Sequence, residues 1–150
     1  MEQNKIQRLA ESDIPTYRQL MALFAKEFDE NETYLGAQPS DTYARTLLGN
    51  DDMIFLVEQK ESEVIGGLVA YVLRKFERER SEVYIYDLAV RSDSRRQGVA
   101  TRLIENLKPI TKAAGAWVIY VQADHGDEPA IKLYESLGVK EIVLHFDIKP

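Results

Sequence analysis

A chain of 150 residues with 45% hydrophobic and 29% charged positions has the balance of a globular protein, which excludes a disordered or fibrous one, and at that length one domain buries about 70% of its unfolded surface. The net charge of −6 argues against a nucleic-acid binder that works by phosphate neutralisation, and the absence of cysteine removes disulfides, a thiolate nucleophile and a Cys-type zinc site. Residues 1–25 hold no basic-then-apolar signal pattern and no apolar run approaches the roughly 20 residues that span a bilayer, so no membrane is expected and a cytoplasmic location is the simplest reading.

In chain order, residues 6–9 are predicted as a short first strand. Ser12 or Asp13 caps a helix reaching about residue 28, with Pro15 in its first turn and Ile14, Tyr17, Leu20, Met21, Phe24 and Phe28 at three- and four-residue spacings. Residues 27–32 (EFDENE) follow as an acidic loop. Ser40 then caps a second helix, DTYARTLL, which Gly49 stops. Strands are predicted over 53–59, 64–73 and 81–90. A helix over about 99–114 contains Pro109, which is expected to kink it or end its regular part early. The nearly all-apolar run AWVIYVQA at 116–123 reads as a central strand with Trp117 in the core. A helix over 129–137, stopped by Gly138, and a closing strand over 141–148 complete the order β α α β β β α β α β. That order describes an α/β protein, a mixed sheet flanked by helices, and no repeat or linker divides residues 1–150, so one domain is expected.

Charge is unevenly placed. Residues 91–102 (RSDSRRQGVATR) carry Arg91, Arg95, Arg96 and Arg102 against Asp93 alone. Here a strand passes through a tight basic turn into a helix start, where amides lack intrahelical partners and the helix dipole adds positive potential. Gly98 allows close backbone approach, and Val99 to Thr101 can offer amides to an anion such as a pyrophosphate. The competing reading is a glycine-containing loop with solvated arginines. Neither GxxxxGK[ST] nor GxGxxG is present.

The stretch YDLAVRSDSRRQGVA resembles the central motif of the GNAT superfamily of N-acetyltransferases, an apolar-Ala-Val strand end followed by [Q/R]-x-x-G-x-[G/A], with Arg95, Gly98 and Ala100 in its positions. Ala130, Tyr134, Glu135 and Gly138 match the second signature, A-x-x-x-Y-E-x-x-G. The resemblance implies the GNAT-type mixed, mostly antiparallel sheet and acetyl-coenzyme A as co-substrate, with no metal. It implies that Leu88, Ala89 and Val90 meet the acetyl carbonyl and pantetheine arm. Amides among Arg95, Arg96, Gln97, Gly98, Val99, Ala100 and Thr101 would hold the pyrophosphate. Asp127 (where many relatives carry Asn), Ala130 and Tyr134 would also border the cofactor, Tyr134 as proton donor to the thiolate.

Acetyl transfer needs a base for an amine that arrives as ammonium. Asp87 interrupts an apolar strand just before the turn, where burial would raise its pKa toward working pH; the alternative is an aspartate satisfied by backbone amides at a bulge. The stretches FERERSEVYIYDLAV, GAWVIYVQADHGDEPA, LYESLG and HFDI resemble the aminoglycoside 3-N-acetyltransferases of the gentamicin-resistance type. That likeness implies an acidic acceptor site at Asp87, Asp124 and Asp147 and, as is common in the family, a homodimer. A polyamine or diamine acetyltransferase, a protein acetyltransferase and a non-catalytic coenzyme A-binding domain remain the alternatives.

Overall fold

The computed structural model describes residues 3–150. The chain divides into two compact units, Met1–Tyr120 and Val121–Pro150. In the first, strand β1 (Lys5–Arg8) leads to helices α1 (Ile14–Glu27), α2 (Asn31–Leu35) and α3 (Asp41–Leu48). Strands β2 (Met53–Lys60), β3 (Glu63–Arg74) and β4 (Ser81–Val90) follow, then a 3₁₀ turn at Ser92–Ser94, helix α4 (Val99–Ala113) and strand β5 (Ala116–Val121). The sheet order is β1-β2-β3-β4-β5, with the first four strands antiparallel. The Ser81 amide donates to the Gly115 carbonyl at 2.9 Å, which starts β4 and β5 from the same end of the sheet.

Two adjacent glycines seat helices on opposite faces of this sheet. A Cβ on Gly66 would lie 2.5 Å from Val99 Cγ1, while one on Gly67 would strike Leu20 Cδ1. Successive strand residues point to opposite faces, so α4 covers one side and α1 the other. Gly66 thereby lets the N-terminus of α4 approach the sheet closely. On the α1 face, Tyr17, Leu20 and Phe24 pack with Phe55, Val57, Val69 and Ala89. Each such side chain contributes about 1.5–3 kcal/mol by leaving water.

The mixed α/β architecture matches the sequence reading, with four local corrections. Residues 31–35, read as part of an acidic loop and its continuation, form α2. Helix α4 spans Val99–Ala113, close to the bounds read from the sequence, and its regular part does not end early at Pro109; the proline forfeits one backbone bond, and the buried Leu103, Ile104 and Leu107 hold the turn regardless. Strand β5 closes the sheet instead of sitting centrally, and Trp117 is 55% exposed, its ring under Arg80 and its Nε1 donating to Glu82 at 3.1 Å. An apolar run reports on the faces of a strand, not on which of its edges is paired.

The fourth correction lies in the second unit, where α5 (Glu128–Leu137) is the regular element among the described residues. Residues 141–148 form no strand, and Ile142, Leu144, Phe146 and Ile148 are exposed. Alternation prepares a face, but a strand persists only through a neighbour's ladder of hydrogen bonds.

Candidate functional site

The end of β4, the 95–101 turn and the start of α4 form the first part of the site. Gly98 is the N-cap of α4 in the left-handed region (φ 77°), and Arg96 shares that conformation (φ 62°). Left-handed residues spaced this closely turn consecutive amides toward a common side, the concavity that binds anions. The amides of Gly98 to Thr101, which open α4 ahead of its first helical bond from the Arg102 amide to the Gly98 carbonyl, have no intrahelical acceptor. The turn therefore brings two left-handed residues and the helix-start N–H groups of α4 together.

The arginines around it are mostly committed. Arg91 bonds Asp93 Oδ1 (2.6 Å) and Glu63 Oε2 (2.9 Å), and Arg95 bonds Glu27 Oε1 (3.0 Å). That Glu27 oxygen also accepts from Ser92 Oγ at 2.7 Å, and the side chain is only 3% exposed. Arg102 pairs with Glu58 at 2.9 Å. Arg96 has no ion-pair partner among the described residues and is exposed.

Upstream of the turn, the Arg91 amide donates to the Ile65 carbonyl at 2.7 Å. Antiparallel residues alternate between bonded and non-bonded pairs. Val90 and Leu88, which face Gly66 and Leu68 across the ladder, fall on the non-bonded positions. Their amides and carbonyls thus point away from β3, to the other edge of β4. Ala89 is buried toward α1.

The second part of the site surrounds Asp87. The β3–β4 register shifts here, because Ala70 faces Ile85 while the next residue back, Val69, faces Asp87. Tyr86 is the extra residue of this bulge and is 60% exposed. Bulges re-aim side chains beside active sites; this one places Asp87 on the α1 face, the face that Tyr84 and Tyr71 share across the ladder. Asp87 Oδ2 accepts a 2.7 Å hydrogen bond from the Tyr34 phenol, while Oδ1 accepts none among the described residues. The bulge alternative of the sequence reading is thus half met: the bulge exists, but a phenol and not a backbone amide engages the carboxylate.

Tyr34 comes from α2, which the sequence reading did not anticipate. Phe24 and Phe28 hold its ring at centroid distances of 5.6 and 5.9 Å. The signal was one aromatic residue set in an acidic stretch, ten positions after Phe24. Tyr86 packs edge-on against both Tyr71 and Tyr84, each at 5.7 Å, and Tyr84 stacks on Tyr120 at 4.7 Å.

Burial raises the Asp87 carboxyl above the usual carboxylate range; the Tyr34 hydrogen bond opposes this and the Glu30 carboxylate adds to it. Burial, then the bond to Asp87, raises the Tyr34 phenol well above the usual tyrosine range, so it remains a donor. The acidic run 27–32 therefore divides: Glu27 serves the turn and Glu30 the cleft.

In the second unit, Asp127 caps α5 by accepting the Ala130 amide at 3.4 Å. Burial and, next, the Asp127 carboxylate push the Tyr134 phenol up to about 12. Asp124 is exposed and its carbonyl accepts the Asp127 amide at 3.2 Å. Asp147 is exposed and paired with His145 at 2.8 Å. Among the described residues no His, Cys, Asp or Glu cluster is arranged to hold a metal ion, and no helix is long and apolar enough to cross a membrane.

The model of the acetyltransferase (GNAT) family matches residues 17–139. Among solved structures, an aminoglycoside acetyltransferase from an uncultured soil metagenomic sample is 48% identical with a TM-score of 0.96, covering 99% of this chain and 99% of that one. A second soil metagenomic aminoglycoside acetyltransferase, in complex with sisomicin, is 33% identical with a TM-score of 0.90, covering 98% of this chain and 96% of that one. The N-alpha-acetyltransferase of Sulfurisphaera tokodaii is 28% identical over 92 residues, 54% of this chain and 55% of its own. The chain spans about half the length of the curated relatives it matches.

Proposed function

Because the chain belongs to the acetyltransferase (GNAT) family, we propose that it transfers the acetyl group of acetyl-coenzyme A to an amine of an aminoglycoside antibiotic, the 3-amino group of the 2-deoxystreptamine ring, and so confers resistance to gentamicin-like compounds. The observation that carries this reading is Asp87: a half-buried carboxylate with one oxygen engaged by Tyr34 and the other open, beside Glu30 and a group of tyrosines. Negative charge attracts a polycation, and aromatic faces favour ammonium groups. The likeness to an aminoglycoside acetyltransferase at 48% identity over 99% of the chain supports the acceptor class; the resemblance alone suggests the 3-amino position and a homodimer, while residues 1–150 acting as one domain and a cytoplasmic location rest on the sequence pattern.

The turn suits the donor. The amides that open α4, its dipole and Arg96, which has no ion-pair partner among the described residues, fit a pyrophosphate, with Arg95, Gln97, Gly98, Val99, Ala100 and Thr101 as the proposed backbone contributors. Acetyl-coenzyme A, when bound, supplies an acetyl group activated as a thioester. Leu88 and Val90, whose backbone groups face away from β3, are the proposed partners of the acetyl oxygen and the pantetheine amides, in the manner of an oxyanion hole, and Ala89 keeps that strand end seated. Asp87 Oδ1 takes the proton that the ammonium must lose, and its raised pKa brings it closer to neutral pH, where a base is most effective. Tyr134, with a phenol pKa of about 12, stays protonated at neutral pH and is the proposed proton source for the departing sulfur. Asp127 and Ala130 are assigned to the cofactor, and Asp124 and Asp147 to acceptor recognition.

Thermal melting with acetyl-coenzyme A should rise, since a ligand of the native state stabilises by mass action. Thiol release should be fastest with gentamicin-like aminoglycosides in an amine panel. Activity on spermidine alone would replace the acceptor class with polyamines, and an unmoved melting temperature with no thiol release would overturn the reading.

A further inference from the structure

Arg102 stands in the first turn of α4, where the helix dipole disfavours a cation, and Glu58 is a carboxylate only 1% exposed, whose burial is costly unless it is paired and hydrogen-bonded. The two answer each other. Arg102 Nε donates to Glu58 Oε1 at 2.9 Å and Nη2 to Oε2 at 3.3 Å, a forked contact. Its remaining arm, Nη1, donates to the Gln97 carbonyl at 2.6 Å. Glu58 is fixed in turn by its place on β2, at the register shift between Glu58 and Gln59.

We propose that Glu58 and Arg102 are a positioning pair that holds the 95–101 turn in its anion-binding shape. This rests on the reading of that turn as the pyrophosphate site of coenzyme A. In a trans peptide the carbonyl and the following N–H point in opposite directions. Anchoring the Gln97 carbonyl to Arg102 therefore aims the Gly98 amide away from the helix body, into the set of helix-start donors. The anchor also counters strain, because Arg96 is a non-glycine residue at φ 62°, a conformation that persists only where its surroundings enforce it. A Cβ on Gly98 would lie 3.0 Å from Arg102 Nη1. Glycine at 98 thus serves both the left-handed backbone and the room the guanidinium needs. Arg102 acts here through geometry: its fork is spent on Glu58 and Gln97.

A positioning role and a simple charge role predict opposite outcomes for Arg102→Lys, which keeps the charge but cannot bridge two acceptors. Coenzyme A and phosphate-free pantetheine would be titrated calorimetrically into wild type, Arg102→Lys and Glu58→Gln, with melting temperatures recorded alongside. We expect both variants to lose at least about tenfold in coenzyme A affinity, the scale of one charged hydrogen bond, while pantetheine binding is unchanged. If Glu58→Gln does not fold, Arg102→Lys decides alone, since its ammonium still pairs with the buried carboxylate. Wild-type coenzyme A affinity in a folded Arg102→Lys, or an equal loss for pantetheine, would overturn the positioning role while leaving the proposed function intact. A wild-type protein that binds no coenzyme A would overturn the reading of the turn itself and the proposal with it.

Discussion

The turn at 95–101 offers consecutive backbone amides from one short stretch of chain, whereas the cleft at Asp87 is assembled from side chains 53 positions apart in sequence. The first offers backbone groups, a glycine and a helix dipole, so Arg91 and Arg95, already paired with carboxylates, matter less than their number suggests, while Arg102 matters through the shape it gives the turn. The second depends on particular side chains in particular places, namely Tyr34 on α2 reaching Asp87 at a β4 bulge. A site made of backbone tolerates loss of a side chain that does not hold its shape, and fails when the backbone is bent. A site made of side chains does the reverse.

The largest expected effect is therefore on the cleft. Asp87→Asn keeps the shape of the residue and should lower kcat by about 10²–10⁴-fold at neutral pH, the usual range for losing a general base, with acetyl-coenzyme A affinity unchanged. A raised KM at unaltered kcat would make Asp87 an acceptor-site charge instead.

Next in size is the turn. Gly98→Val puts a β-branched residue at φ 77°, a cost of roughly 1–2 kcal/mol, and it also crowds Arg102. Acetyl-coenzyme A affinity should fall by about tenfold or more, while Arg91→Ala changes it little. Equal, mild effects in a titration of both variants would blur the distinction between backbone and side-chain sites.

Tyr34→Phe tests how the cleft is tuned. The Tyr34 bond lowers the Asp87 pKa against the larger raising effect of burial. Removing it should raise that pKa further, so the basic form appears later and the acid limb of kcat/KM moves to higher pH. An unmoved limb would separate Tyr34 from the titration of Asp87. The smallest effect expected is a decline of kcat/KM for a polycationic acceptor as ionic strength passes about 0.15 M, where screening shortens the reach of Asp87 and Glu30. A salt-independent rate would make those acids bystanders to capture.

What the sequence revealed follows the same division. The strand end, the RRQG turn and the start of α4 are continuous in the chain, so the helix start at Gly98 was legible from local spacing, while its reading as a cofactor turn came from the resemblance. Asp87 was legible too, as a charge interrupting an apolar strand. Tyr34 was not, because α2 has only five residues and its placement comes from packing against Phe24 and Phe28. Glu58 was hidden in an apolar strand, and its pairing with Arg102 spans 44 positions. Trp117 and residues 141–148 misled for a related reason: hydrophobic pattern says which face of a strand is apolar, not which neighbour pairs with its edge.

The central claim is that Asp87 removes the proton of the attacking ammonium, and the dependence of kcat on pH in Asp87→Asn tests it most directly. With the base gone, turnover should climb steadily with pH as more acceptor amine arrives already neutral, closing part of the gap to a wild type that has levelled off. A variant whose kcat stays close to wild type across the range, or whose deficit is the same at every pH, would contradict the assignment.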